Sequence, residues 1–198
     1  MHEAMLSLVH PKRRAPRFLD LGCGTGKTSA LLLEQFKNGR VVGVDLFDEM
    51  LAHASARLRR YSMRVELLRA DFRTAPLGAD YDACVSALAI HHSTPKEKRA
   101  VFRRVHGSLR RGGQFIMVDW TKFESRAVQS AATAEAERFV AETVPKAEIA
   151  EAWIRHWREK NIPDSVEDLQ KWLRAAGFSS VECVMRHFGL ALIYAQKE

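Results

Sequence analysis

With 198 residues, 46% of them hydrophobic and 28% charged, the chain has the length and mix of one soluble globular domain with a sizeable core. No apolar run approaches the roughly 18–20 residues of a membrane span, and residues 1–11 lack the apolar stretch of a secretory leader. Cys23, Cys84 and Cys183 are odd in number and far apart, which argues against a disulfide framework or a structural zinc and for a reducing cytoplasm.

The net charge of +7 is uneven: residues 1–120 carry 20 Lys/Arg against 12 Asp/Glu, and residues 121–198 carry 11 against 12. The excess gathers at Lys12, Arg13 and Arg14, at Arg57, Arg59, Arg60 and Arg64, at Arg103 and Arg104, and at Arg110 and Arg111. Such a field attracts nucleic acid or an anionic substrate. No aromatic residues are interleaved as stacking platforms, so solvated helix faces are the simpler reading.

Taken in chain order, residues 17–21 read as a short apolar strand followed by a glycine-rich turn. Residues 28–36 read as a helix, with Leu31, Leu32 and Phe36 at helical spacing and Asn38-Gly39 as its stop. Residues 40–45 are a second strand, and Asp48 suits the N-cap of a helix running to about residue 60. Residues 64–69 and 81–86 make the third and fourth strands. Pro95 fits the first position of a helix running to about residue 110, ended by Gly112-Gly113 before a fifth strand at 114–119. Alternating strands and helices of these lengths form a parallel sheet covered on both faces.

The last third breaks that alternation. Residues 124–160 are Ala/Glu-rich and helical, interrupted before Pro145, with Ile149, Trp153 and Trp157 spaced as one apolar stripe expected to pack on the domain. A break at 161–163 leads to a helix begun by Ser165 and ended at Ala176-Gly177. Strands at 180–187 and 190–196, turning near Gly189, form an antiparallel hairpin. The expected fold is α/β: a doubly wound, mostly parallel seven-stranded sheet with helices on both faces and a C-terminal antiparallel hairpin. There is no internal repeat and no linker, so residues 1–198 are expected to be one domain.

The chemistry sits at the first turn, where Phe18-Leu-Asp20-Leu-Gly22-Cys23-Gly24-Thr25-Gly26 ends a strand and opens a helix. Open α/β sheets bind ligands at such a place, and glycines there let backbone approach the ligand. Gly26-Lys27-Thr28 suggests a phosphate-binding loop, but the glycine such a loop needs falls on Leu21, and Gly22 leaves it one residue short. A dinucleotide fingerprint fails too, since its third glycine would be Lys27 or Ser29. What remains is acidic-x-G-x-G-x-G over Asp20, Gly22, Gly24 and Gly26.

In this motif, and over about residues 17–120, the sequence resembles the class I Rossmann-like S-adenosylmethionine-dependent methyltransferases, in particular their small-molecule members. The resemblance implies S-adenosylmethionine as cofactor, cradled by the residues from Asp20 through Cys23 and Thr25 to Gly26. It implies that Asp45 accepts from both ribose hydroxyls, that Leu46 and Met50 pack the adenine, and that Asp71 with Phe72 meets the adenine edge. It places Ser86 and Ala87 beside the methionyl part and matches residues 109–113 to the family's helix stop. His91 and His92, past the fourth strand, border the acceptor side and are the candidate bases, since a histidine can titrate near neutrality.

No metal is expected, because of the acids a metal-dependent member needs only Asp119 is present. Residues 121–163 stand where the family has a short connection and are expected to form a helical lid; as the alternative to the stripe packing on the domain, Trp153, His156 or Trp157 faces the acceptor, and Trp120 and Phe123 have a similar claim. Only about 16 residues precede the first strand, enough for a short helix, which leaves two readings: a truncated chain, or a donor site more open than in relatives. The resulting expectation is methyl transfer to an oxygen or nitrogen of a small molecule. A tRNA- or rRNA-modifying enzyme, and a donor-binding protein without transfer activity, stand as alternatives. Oligomeric state is not legible.

Overall fold

Strict alternation along the central strands builds two cores, one on each face of the sheet. On one face Phe18, Ala83, Val85, Ile116 and Val118 pack with Met5, Leu32, Leu33, Ala54 and Leu58. On the other, Leu19, Leu21, Cys84, Phe115 and Met117 pack with Val101, Phe102, Val105, Leu169 and Leu173. Burying both faces demands helices on both sides, which is how the chain is wound.

The computed structural model describes residues 1–198, apart from the side chains of Trp153 and His156. A short helix α1 (His2–Leu6) precedes β1 (Arg17–Leu21), α2 (Lys27–Gln35), β2 (Arg40–Asp45), α3 (Asp48–Leu58) and β3 (Val65–Arg69). Then come β4 (Tyr81–Ala87), α4 (Pro95–Ser108), β5 (Leu109–Lys122), α5 (Arg126–Thr143) and α6 (Ala147–Lys160). The two-residue β6 (Asp164–Ser165), α7 (Val166–Ala175), β7 (Ser180–His187) and β8 (Leu190–Gln196) complete the chain. The sheet order is β3-β2-β1-β4-β5-β8-β7, with β6 pairing to β5 beside this path. The first five strands of that order are mutually parallel, and β8 and β7 are antiparallel to their neighbours. The winding reverses between β1 and β4, where an α/β sheet opens its crevice.

Local chemistry accounts for the well-placed boundaries. Pro95 opens α4 behind a capping box, in which the Thr94 hydroxyl accepts from the Glu97 N–H and the Glu97 carboxylate accepts from the Thr94 N–H at 2.7 Å. Ser125 and Ser165 cap α5 and α7 through the hydroxyl alone, which accepts from the N–H groups of Val128 and Asp168.

The structure departs from the sequence reading at two boundaries and in the packing of α6. Phe47, not Asp48, is the N-cap of α3; Asp48 is its first helical residue and reaches Arg69 at 3.1 Å. Helix α4 ends at Ser108, and Gly112-Gly113 lies inside β5, where the register with β4 shifts. The hairpin strands end as expected and turn at Phe188-Gly189, with Phe188 at positive φ. Ile149 is 55% exposed, so the apolar stripe of α6 does not pack from that end; the neighbouring Ala150 is buried instead.

Candidate functional site

The glycine loop hangs from the end of β2. The Val44 carbonyl accepts from the N–H groups of Gly22 (2.8 Å) and Cys23 (3.0 Å), and an Asp45 carboxylate oxygen accepts from Gly24 N–H at 2.8 Å. The other Asp45 oxygen accepts from Phe47 N–H at 3.0 Å. Gly22, Gly24 and Gly26 all have positive φ, which side chains rarely tolerate. Their surroundings differ. A Cβ on Gly22 would lie 2.2 Å from that of Ala89, and one on Gly26 would crowd Leu58 and Ala54, whereas one on Gly24 would meet nothing within 4 Å. Gly22 and Gly26 thus serve close packing, and Gly24 faces an open cradle.

Asp20 lies beneath the loop, fully buried, with its carboxylate accepting from the Ser29 hydroxyl at 2.6 Å. Burial pushes its pKa up to about 6, against the opposing pull of the Ser29 hydrogen bonds. Cys23 is buried too, and burial raises its thiol far above the usual range. Thr25 offers its carbonyl to Arg57 Nε at 2.8 Å.

Around the cradle, Leu46 is 42% exposed and Met50 half-buried. Asp71 is gripped by Arg73, whose Nε and Nη2 donate to it at 2.9 and 2.8 Å and whose backbone N–H adds a third bond at 2.8 Å. The guanidinium beside it holds the Asp71 carboxyl below the usual carboxylate range. Phe72 is half-buried, its ring edge 3.7 Å from where a Gly22 Cβ would stand. The Ser86 hydroxyl donates to the Leu21 carbonyl at 2.9 Å, tying β4 to the start of the loop, and Ala87 follows, half-buried.

Past β4, a single 3-10 turn (Ile90–His92) buries His91 and leaves His92 exposed. His91 Nδ1 hydrogen-bonds the Asp119 carboxylate from the end of β5. That carboxylate also accepts from the N–H groups of Ile90 (2.9 Å), His91 (3.0 Å) and Trp120 (2.9 Å). A carboxylate opposite Nδ1 fixes the tautomer with the proton there, leaving Nε2 as the basic atom. His92 stacks on His91 with ring centroids 4.0 Å apart. The sequence reading considers Asp119 only as a metal ligand; its place just past the last β4–β5 pair, Ala87 with Val118, is what brings it to the histidine turn.

Beside this pair, the ends of β5, α5 and α6 and the hairpin turn enclose a cleft of about 200 Å³, lined in part by Trp120, Gln129, Trp157, Asn161 and Gly189. The Trp120 and Trp157 rings lie 5.3 Å apart. Trp153 and His156 lie outside the described residues, and Phe123 sits under the Arg186 guanidinium at 3.6 Å. The segment after α6 abuts the histidine turn, since Ile162 N–H donates to the His91 carbonyl at 2.8 Å.

Comparison with known proteins gives the same frame. A family model described as a methyltransferase domain matches residues 18–113. The carboxy-S-adenosyl-L-methionine synthase of Wolinella succinogenes is 28% identical, over 90% of this chain and 75% of its own. An uncharacterized methyltransferase of Bacillus licheniformis is 34% identical over 63% of this chain and 56% of its own. Among solved structures, the Bacillus subtilis protein YcgJ superposes with a TM-score of 0.72 at 17% identity, covering 100% of this chain and 97% of that one.

Residues 18–113 are a methyltransferase domain, and the chain has the fold of the class I S-adenosylmethionine-dependent methyltransferases. It spans only about half of some relatives, 53% of the Campylobacter concisus carboxy-S-adenosyl-L-methionine synthase and 51% of the methyltransferase SibL. As a methyltransferase cradle, the loop suits the family's cofactor. Gly24 leaves open space, and each Asp45 oxygen, with one N–H bond made, keeps a lone pair for a ribose hydroxyl. Among the described residues no three His, Cys, Asp or Glu side chains cluster as metal ligands, and no helix is long and apolar enough to cross a membrane.

Proposed function

We propose that this methyltransferase domain transfers the methyl group of S-adenosylmethionine to an oxygen or nitrogen of a small-molecule acceptor. The observation that carries the reading is the buried His91–Asp119 pair, standing at the ends of β4 and β5 next to the glycine loop of β1. The loop Gly22–Gly26 and Asp45 hold the nucleoside and ribose, with Leu46, Met50, Asp71 and Phe72 around the adenine and Ser86 and Ala87 along the methionyl part. Asp20 acts from beneath, through the loop.

Bound S-adenosylmethionine supplies a sulfonium-activated methyl group for in-line displacement, and leaves as the neutral thioether. His91 Nε2 takes the proton that the acceptor hydroxyl or ammonium gives up. Asp119 balances the imidazolium charge and fixes the ring. The cleft beside Trp120 and Trp157 orients the acceptor and excludes water.

Two further readings are separable from this one. Part of each basic cluster that suggested RNA is committed within the protein: Arg13 to Asp80, Arg64 to the carbonyls of Leu33, Phe36 and Gly39, Arg104 to Phe72 and Ala75, and Arg110 to Asp82. The Wolinella relative, by its name, makes a carboxylated donor, so the same cradle could serve an enzyme that alters the donor itself.

The test is incubation with S-adenosylmethionine and a panel of phenols, amines and carboxylic acids, following S-adenosylhomocysteine and methylated product by mass spectrometry. Stoichiometric appearance of both supports the proposal. A donor-derived nucleoside heavier than S-adenosylmethionine favours donor modification, and donor binding without any turnover favours a binding protein.

A further inference from the structure

The hydrogen-bonding capacity of the cleft beside Trp120 is one-sided. Thr121 Oγ1 donates to the Gly189 carbonyl at 3.0 Å. Gln129 accepts with its carbonyl from Phe123 N–H at 2.8 Å and donates one amide proton to Thr133 Oγ1 at 3.2 Å, which leaves its second amide proton to give. Thr133, accepting there, keeps its own proton to donate. Asn161 Nδ2 is buried, and among the described residues it has no hydrogen-bond partner. Arg158 lines the rim, paired to Glu137, which does not face the cleft.

Among the described residues the lining therefore offers donors and one cationic group, and no carboxylate. A buried amide N–H without a partner is costly, so a ligand oxygen placed there gains more than one left in water. The walls add a second requirement. Trp120 and Trp157, in tilted contact, both line the cleft, and indole surface is covered better by a planar ring than by a puckered chain.

We infer that the acceptor is an aromatic acid, its ring against Trp120 and Trp157 and its carboxylate held by Asn161 and Arg158. The inference rests on the methyltransferase reading and names the substrate class of that site. The methyl-accepting group is then a second substituent on the ring, left to face His91.

The experiment is calorimetric titration of the chain saturated with S-adenosylhomocysteine, using three probes of one size: 4-hydroxybenzoate, 4-hydroxybenzylamine and 4-hydroxycyclohexanecarboxylate. 4-Hydroxybenzoate is expected to bind roughly tenfold or more tighter than the other two. Asn161→Leu should weaken it by about tenfold. Asn161→Asp, which sets an anion in the same space, should weaken 4-hydroxybenzoate further and narrow its lead over the amine. Unchanged affinity for S-adenosylhomocysteine in both variants shows that the fold is intact. Equal binding of the three probes, no effect of either variant, or no 4-hydroxybenzoate binding to a chain that does bind S-adenosylhomocysteine would overturn the inference. Failure to bind S-adenosylhomocysteine at all overturns the donor reading, and the inference with it.

Discussion

His91 Nδ1 meets the Asp119 carboxylate across the ends of two neighbouring parallel strands, and both groups are almost wholly withdrawn from solvent. Asp119 holds the ring and, through the N–H groups of Ile90 and His91, the turn that carries it. The pair is thus oriented by three bonds to one carboxylate. Under the proposed function, His91→Asn lowers kcat by roughly 10²–10⁴ while leaving the affinity for S-adenosylhomocysteine unchanged. Asp119→Asn also loses rate, because an amide can donate to Nδ1 and favour the wrong tautomer. Single-turnover assays beside calorimetry separate these effects; an His91→Asn enzyme at wild-type rate would remove the base assignment.

Asp45 has two duties, holding the Gly24 and Phe47 N–H groups and, as proposed, receiving the ribose. Asp45→Ala is expected to reduce donor affinity by roughly 1.5–3 kcal/mol, since bonds to a charged acceptor are lost. Asp45→Asn should cost less, because the amide oxygen can still accept from Gly24. Titration with S-adenosylhomocysteine checks both, and wild-type affinity in the alanine variant would place the ribose elsewhere.

Gly22 approaches Ala89 so closely that an added methyl would sit 2.2 Å from the Ala89 methyl, on backbone with φ of 66°. Gly22→Ala therefore combines left-handed strain of about 1–2 kcal/mol with a steric clash. The clash should be partly relieved by Ala89→Gly and the strain should not. Denaturant unfolding of the single and double variants gives the coupling directly.

Asp20 makes stability depend on pH in an unusual direction. Its carboxyl titrates at about 6 in the folded protein, against an ordinary value of 3.8, so between those values the native state holds a proton that the unfolded chain has released. Stability accordingly falls as pH rises across that window and is level above it, a cost of about 3 kcal/mol in full. Asp20→Asn keeps an oxygen to accept from Ser29 and removes the charge. It should flatten the pH 4–6 profile in urea unfolding and leave the protein no less stable at pH 7.

How much was readable beforehand follows the distance along the chain between partners. The loop from Asp20 to Gly26, Asp45 at its strand end and Pro95 at its helix start are local signals, and backbone chemistry keeps them local. Asp119 is different: its role depends on the β4–β5 register and on a turn 28 residues earlier, which no spacing rule exposes. Two local features are hidden for another reason: Arg73 on Asp71 depends on side-chain conformation, and Phe47 precedes α3 with no side-chain cap, which no capping rule selects. The cleft depends on how α5 and α6 fold back, and helical periodicity does not encode that.

Lys98 and Asp164 form the other pairing that the sequence conceals. The ammonium of Lys98, 1% exposed inside α4, donates to Asp164 at 2.6 Å and to the Ile162 carbonyl. Ile162 in turn donates its N–H to the His91 carbonyl, so the ion pair clamps the end of the helical segment against the histidine turn. Lys98→Met strands a buried carboxylate and should destabilise the protein by about 3–5 kcal/mol, whereas Lys98→Met with Asp164→Leu should recover much of that loss. The double variant then isolates the clamp's second effect. With the fold restored and the Ile162 carbonyl left without its cation, acceptor KM should rise more than donor affinity falls. Equal loss in the single and double variants by thermal unfolding would show that the pair is not compensating its own burial.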